Sequence, residues 1–304
     1  MVEPAEREKL RALLDGLVRP NLQSEVCPAR TEARPPDTGR ASEQRPAAYV
    51  VRCACAPGLD GTRGGTVVDH VRLFPLRPGV RWTYRVHEQI LPSLKRAKIP
   101  VRWTDLVVQH KGYADPAVEA RKLDRNIRIL EREVKERPDD PFVLFNLGQS
   151  AVEKREWDQA LGYLGRSLAG SAPTDSIVRK IYALIARVHQ TMGHLQEALR
   201  TCAEGLKLDG EDAELWFRKA VVHRHRGERA EAERCWRLIL NLKRPDQFCS
   251  FDQGIYGHVT RRNLAALAAE RGDYAEAERL WQDVLAECPG DREALSRLAR
   301  VRET

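Results

Sequence analysis

A pattern that recurs four times in the C-terminal half of this 304-residue chain is the strongest constraint on its fold. In each occurrence a turn residue is followed five positions later by alanine, within a segment that has the apolar spacing of a helix. The turn residues are Arg155, Gly193, Gly227 and Gly272, and the alanines are Ala160, Ala198, Ala232 and Ala277. Successive alanines lie 38, 34 and 45 residues apart. Recurrence at this interval predicts a stack of helical hairpins.

Each position of the pattern has a packing reason. Glycine can end the first helix of a hairpin because it adopts a positive φ at little steric cost. Alanine is small enough to let the two helices of the hairpin approach closely. Four residues after the alanine comes a side chain that we expect to fill the space between the helices. These side chains are Leu164, Cys202, Trp236 and Trp281.

The pattern resembles the tetratricopeptide-repeat family, whose unit is a helix–turn–helix of about 34 residues. The resemblance implies a mainly α fold, with a right-handed superhelix of hairpins over residues 139–304 that ends in a C-terminal helix. Four degenerate repeats are expected, at about 141–173, 179–210, 213–245 and 258–289.

In this family the first helix of each hairpin lines the inner surface. Carrying that arrangement over implies a partner-binding groove formed by Asn146, Gln149, Lys180, Arg187, Arg218, Arg224, Arg262 and Asn263. Five of these eight side chains are cationic, which favours a protein or peptide partner with acidic groups. The alternative is that a chain with 51 lysines and arginines presents arginine on any solvated face.

Charge and composition argue against nucleic-acid binding and a membrane span, and they indicate a cellular location. The net charge is +7, but 44 acidic residues are interleaved with the basic ones, and no aromatic-basic stacking platform is visible. We therefore expect no nucleic-acid binding. No run of 18 apolar residues occurs, so we expect no membrane span. The charged N-terminus and the seven scattered cysteines favour a cytoplasmic protein with reduced thiols.

The first 138 residues lack the helical repeat pattern and are expected to form other elements. We predict a helix over 1–18, a flexible linker or loop over 19–47, a small β unit over 48–113 and a connecting helix over 114–138. Within the β unit, GVRWTYRVHEQI is expected to form a strand with Val80, Trp82, Tyr84 and Val86 on one face.

The order of four motifs, from the β unit to the start of the first repeat, resembles the C-terminal part of the catalytic domain of bacterial family-2 glycosyltransferases that carry tetratricopeptide repeats. The motifs are Arg72-Leu73-Phe74, Val86-His87-Glu88, His110-Lys111-Gly112-Tyr113 and the run from Glu136 to Phe142. The resemblance implies an inverting sugar transfer, with His87 and Glu88 as the catalytic candidates. It also implies a divalent metal, manganese or magnesium, in a complete enzyme, which His87 or His110 would help to hold.

One element of that family is missing. The enzymes hold the donor diphosphate through a metal on an Asp-x-Asp motif in an N-terminal α/β half, and the sequence contains no Asp-x-Asp. We therefore expect a truncated glycosyltransferase-like domain that binds neither cofactor nor nucleotide-sugar by itself, attached to a repeat scaffold that binds a protein. The alternative is an active glycosyltransferase whose donor-binding half lies on another chain or upstream of a misassigned start.

Overall fold

The computed structural model describes residues 4–18, 46–55, 66–110, 116–244 and 250–302. The predicted linker over 19–47 lies outside the described residues, except for 46 and 47. The chain divides into two compact units. Among the described residues, the first contains 4–18, 46–54, 70–83 and 89–110, and the second contains 55, 66–69, 84–88, 116–244 and 250–302.

The first unit is a small α+β structure. Its elements are α1 (Pro4–Val18), β1 (Ala48–Cys55), the end of β2 (Thr66–Leu73), α2 (Leu91–Arg96) and β3 (Val101–His110). β1 is the central strand between β3 and β2. Residues 48–51 of β1 are all buried, as expected for a strand rich in β-branched and aromatic side chains. Helix α1 lies along β3, where the Glu6 carboxylate accepts a hydrogen bond from the Val107 N–H at 2.7 Å.

The strand predicted over GVRWTYRVHEQI is wrong. Thr83 and Gln89 form an isolated bridge with N–O distances of 2.8 and 2.9 Å, and the five residues between them form a loop. Tyr84 and His87 have φ of 71° and 57°, so the backbone cannot continue as an extended strand. The four side chains expected on one face consequently separate, with Trp82 stacked edge-on against Phe74 and Val86 buried in the second unit.

The second unit consists mainly of helical hairpins, which confirms the predicted fold class. Helix α3 (Pro116–Glu136) precedes four helix pairs and a final helix, α12 (Arg292–Arg302). The pairs are α4 (Pro141–Lys154) with α5 (Trp157–Gly170), α6 (Val178–Thr191) with α7 (Leu195–Leu208), α8 (Ala213–His225) with α9 (Arg229–Ile239), and α10 (His258–Glu270) with α11 (Tyr274–Glu287). Each helix that the structure describes is too short or too polar to cross a membrane.

The four hairpin turns share one hydrogen-bond pattern. At the first turn, the Arg155 N–H donates to the Val152 carbonyl and the Glu156 N–H donates to the Ala151 carbonyl, which is the Schellman arrangement. The same two bonds occur at the other three turns, where glycine has φ of 78° to 82°. Arg155 takes the same left-handed conformation with φ of 62°, so its place in the repeat pattern is confirmed.

The predicted packing positions are also confirmed. All four repeat alanines have 0% exposure, and the four side chains four residues later are buried. Space between the helices is so limited that a Cβ on Gly148 would lie 2.7 Å from Leu164 Cδ2. These contacts form cores that run from one hairpin to the next, because each hairpin covers the apolar face of its neighbour.

The third and fourth hairpins are joined by an insertion that adds a strand. β4 (Ser250–Asp252) pairs antiparallel with β2, with Thr66 opposite Asp252 and Val68 opposite Ser250. A single 3-10 turn (Gln253–Tyr256) follows, and its Ile255 is buried in the same core as Ala213 of α8. The 3-10 turn of the insertion therefore lies against α8 and α10, the first helices of the third and fourth hairpins.

Candidate functional site

The loop that carries His87 and Glu88 is fixed to the start of the repeat array. The Tyr84 hydroxyl donates to Asp140 Oδ2 at 3.2 Å, and the Tyr84 ring lies 4.6 Å from the Phe142 ring. Asp140 is also the N-cap of α4 and accepts the Phe142 and Val143 N–H groups. Burial raises the pKa of Tyr84 to about 12, and the Asp140 carboxylate adds to the effect.

The next two residues of the loop extend this attachment. The buried Glu133 carboxylate accepts the Arg85 N–H at 3.2 Å, while Arg85 Nη2 donates to both oxygens of Glu136 at 2.7 and 2.8 Å. Val86 is buried with Leu130, Val143 and Leu147. The loop consequently has a defined conformation despite its two left-handed residues.

His87 and Glu88 follow on the exposed side of the loop. Partial desolvation lowers the pKa of His87, Glu88 opposes that shift, and Lys122 adds to it. The imidazole is therefore neutral near pH 7, the form that accepts a proton or binds a metal. The side chain of His110 lies outside the described part of the chain. Within that part, no group of three or more His, Cys, Asp or Glu side chains is arranged to hold a metal ion.

The eight predicted groove residues lie on α4, α6, α8 and α10, which we call the first-helix face. Three of the five cations have acidic partners. Lys180 Nζ donates to Glu214 at 2.8 Å, Arg262 Nη2 to Glu293 at 2.5 Å, and Arg224 to Glu270. The amides bond mostly to their own helices: Asn146 to the Phe142 carbonyl, Asn263 to the Val259 carbonyl and Gln149 to Glu153.

Arg187 and Arg218 differ from the other three cations. Arg187 is exposed, and no residue that the structure describes forms an ion pair with it. Arg218 is half-buried, and its Nε is buried without a hydrogen-bond partner among the described residues. Burial lowers the pKa of the Arg218 guanidinium, Glu214 opposes that shift, and the nearby Arg187 adds to it. Two neighbouring cations on the first-helix face thus form no ion pair with a described residue, although Glu214 is near enough to act on the Arg218 charge.

Sequence reasoning missed the acidic half of this face. Arg179 Nε donates to the buried Asp212 at 2.6 Å, and Asp212 also caps α8 by accepting the Leu215 N–H. A signal for these pairs was present, because cation and acid are about one repeat apart. The separations are 33 residues for Arg179 and Asp212, 34 for Lys180 and Glu214, and 31 for Arg262 and Glu293.

Stacked hairpins with Schellman turns and alanine contacts form a tetratricopeptide-like fold. Two family models of the tetratricopeptide repeat match the chain, over residues 184–235 and 259–301. Among solved structures, the chain is similar to TTC0263, a tetratricopeptide protein of Thermus thermophilus, at 21% identity and a TM-score of 0.45, covering 62% of this chain and 94% of that one. It is also similar to YrrB, a tetratricopeptide protein with an unusual peptide-binding site, at 13% identity and a TM-score of 0.42, covering 59% and 84%.

Part of the chain is similar to a glycosyltransferase. The SPbeta prophage-derived glycosyltransferase SunS of Bacillus subtilis (strain 168) is 26% identical over 122 residues, which is 40% of this chain and 28% of that protein. Glycosyltransferase SunS of Bacillus phage SPbeta matches with the same values. The matched region thus spans little more than a quarter of each relative.

Proposed function

We propose that this protein is a scaffold that binds an acidic segment of a protein or peptide on its first-helix face, at Arg187 and Arg218. The observation that carries the proposal is a pair of neighbouring cations, Arg187 and Arg218, that form no ion pair with a described residue, on a face where the other three predicted cations hydrogen-bond to carboxylates. The stacked hairpins support it, because they hold both arginines on rigid helices before a partner arrives.

The charge distribution favours a carboxylate as the bound group. A buried donor without a partner is costly, so a carboxylate that reached Arg218 Nε would satisfy it. Arginine also offers two parallel donors that match the geometry of a carboxylate. Since Arg187 and Arg218 repel each other, one bound anion would stabilise both.

A peptide-binding experiment tests this proposal. A library of fluorescein-labelled octapeptides rich in Asp and Glu is screened by fluorescence anisotropy, beside the same peptides with Asn and Gln. We expect Arg187→Glu to weaken binding of the acidic peptides by about tenfold, which corresponds to roughly 1.4 kcal/mol. The matched control is Arg200→Glu, because Arg200 is an exposed arginine on α7 of the same hairpin. Equal losses for the two variants would contradict the proposed site.

We propose sugar transfer as a second function, with His87 and Glu88 as the residues that act on the acceptor. The similarity to SunS supports it, as does the loop at Tyr84–Glu88, because residues held in left-handed conformations cluster at functional sites. In this reading neutral His87 or the Glu88 carboxylate accepts the proton of an acceptor hydroxyl. As part of this second function we propose that the transfer inverts the configuration at the sugar carbon, as in family 2, and uses a manganese or magnesium ion. The peptide-binding function requires neither.

Calorimetry with UDP-, GDP- and TDP-sugars in the presence of manganese tests the second function. Saturable heat of binding would support a donor site. Sugar transfer to an acceptor that is lost in His87→Ala and Glu88→Gln, but not in His225→Ala, would support the proposed roles of the two residues. The expectation from the sequence is that this chain alone binds no nucleotide-sugar, and saturable binding would contradict that expectation. We also propose a cytoplasmic location, which the free thiols of Cys53, Cys202, Cys235 and Cys288 support.

A further inference from the structure

The last turns of α3 and the loop residue Arg85 enclose an open cleft of about 490 Å³ in the second unit. Its lining consists of Arg85, Ile129, Arg132, Lys135 and Glu136. Three of these side chains are cationic and one is anionic, so the lining carries a net charge of +2. The cleft is separate from Arg187 and Arg218, and neither proposed function uses it.

The charges in the cleft are unequally compensated. Arg85 is paired with Glu136 at 2.7 Å, and both side chains are about half exposed. Arg132 and Lys135 are exposed, three positions apart on one helix, and no residue that the structure describes forms an ion pair with them. An anion in the cleft would therefore meet two available cations and would compete with Glu136 for a third.

The cleft is formed before any ligand binds. The Arg85 backbone is held by the buried Glu133, and the neighbouring Val86 is buried against Leu130. Ile129 adds an apolar wall to the cleft. A cleft of this size, with three cations and one apolar side chain in its lining, fits a small molecule that carries a compact multiple charge.

We infer that this cleft binds the phosphate or diphosphate group of a small molecule. A phosphate group has more negative charge than one carboxylate and several acceptor oxygens, so it can engage Arg132, Lys135 and Arg85 together. The group can come from an inorganic anion or from an organic phosphate ester, and only the ester would use the wall at Ile129.

Calorimetric titration of the full chain at low salt with inorganic pyrophosphate and with phenyl phosphate tests the inference. We expect saturable binding of both, with Arg132→Gln and Lys135→Gln each weakening the affinity by at least about fivefold. Glu136→Gln should tighten binding several-fold, because it frees Arg85 and removes a like charge. If Ile129→Ser weakens phenyl phosphate but not pyrophosphate, the organic ester is the preferred source; equal effects assign the site to the phosphate group alone.

Matched controls on the same helix separate a site from general charge attraction. Arg121 and Glu119 are exposed residues of α3 that do not line the cleft. Arg121→Gln and Glu119→Gln should leave both titrations unchanged, and so should Arg187→Glu on the first-helix face. Absence of binding up to about 10 mM, or equal losses in Arg132→Gln and Arg121→Gln, would overturn the inference whatever the outcome of the peptide experiment.

Discussion

The four hairpin turns provide an internal test of how a left-handed residue affects stability. All four have the same Schellman hydrogen bonds, but one has Arg155 where the others have glycine. A side chain in the left-handed conformation costs about 1–2 kcal/mol, because Cβ lies too close to the following carbonyl oxygen. We predict that Arg155→Gly stabilises the protein.

The magnitude follows from two opposing effects. Relief of the left-handed conformation contributes about 1–2 kcal/mol, while the greater freedom of glycine in the unfolded chain offsets about 0.5–1 kcal/mol. The exposed Arg155 side chain has no ion pair among the described residues, so its removal loses little else. The expected net gain in the free energy of unfolding is about 0.5–1 kcal/mol. In the reverse variant, Gly227→Arg, a Cβ meets no atom within 4 Å, so a loss of similar size is expected from the backbone alone.

Urea denaturation followed by circular dichroism measures both variants. For a helical array of this size, 1 kcal/mol corresponds to a shift of roughly 2–4 °C in Tm, so thermal unfolding gives a second measurement. Because stacked repeats can unfold separately, amide hydrogen exchange in α4 and α5 supplies the local measurement for Arg155→Gly. A decrease in stability for Arg155→Gly, or no effect of Gly227→Arg, would refute the reasoning.

Two further predictions concern packing and pH. Gly148→Ala should destabilise the protein by about 1–3 kcal/mol because of the close contact with Leu164. Gly162→Ala, on open helix surface, should be neutral or stabilise the protein by up to about 1 kcal/mol. If urea denaturation shows Gly162→Ala to be the more destabilising of the two, the close packing of α4 against α5 at Gly148 is contradicted. Burial lowers the pKa of His70 from 6.5 to about 4, so below pH 6.5 the unfolded chain takes up a proton that the folded chain does not. Stability should fall as the pH drops from about 6.5 towards 4, and His70→Gln but not the exposed His225→Gln should flatten this fall in Tm measured between pH 7 and 5.

The hairpins could be predicted from the sequence because their determinants are local and repeated. A positive-φ turn, an alanine five residues later and a large residue four positions further on lie within ten residues, and the structure buries the latter two in every repeat. The loop at 84–88 could not be predicted in this way. Its alternating apolar residues look like a strand, but contacts of Tyr84 with Asp140 and of Arg85 with Glu133 determine its course. Those partners are about 50 residues away in the chain.

The eight residues predicted to line a groove lie on the first helices, but the charges that surround them could not be predicted. The repeat pattern placed five cations on the first helices, but it did not indicate which acidic residues would lie opposite them. Each acid is on the next first helix or on α12, so its effect depends on the stacking of two hairpins. Arg187 and Arg218 can be distinguished from the other three cations only once the ion pairs of those three are known.

The ion pairs that join one first helix to the next run in a single direction among the described residues. In these pairs the cation lies upstream and the acid downstream, and the final acids, Asp291 and Glu293, belong to α12 or the residue before it. The hairpins are therefore not interchangeable modules. A shortened chain that joined α7 directly to α10 would set Gly257 and Val259 where Asp212 and Glu214 now stand. Arg179 and Lys180 would then face a neighbour without a carboxylate at those positions. Duplication or loss of a whole hairpin in evolution would therefore require substitutions that restore acidic residues where the new neighbours meet.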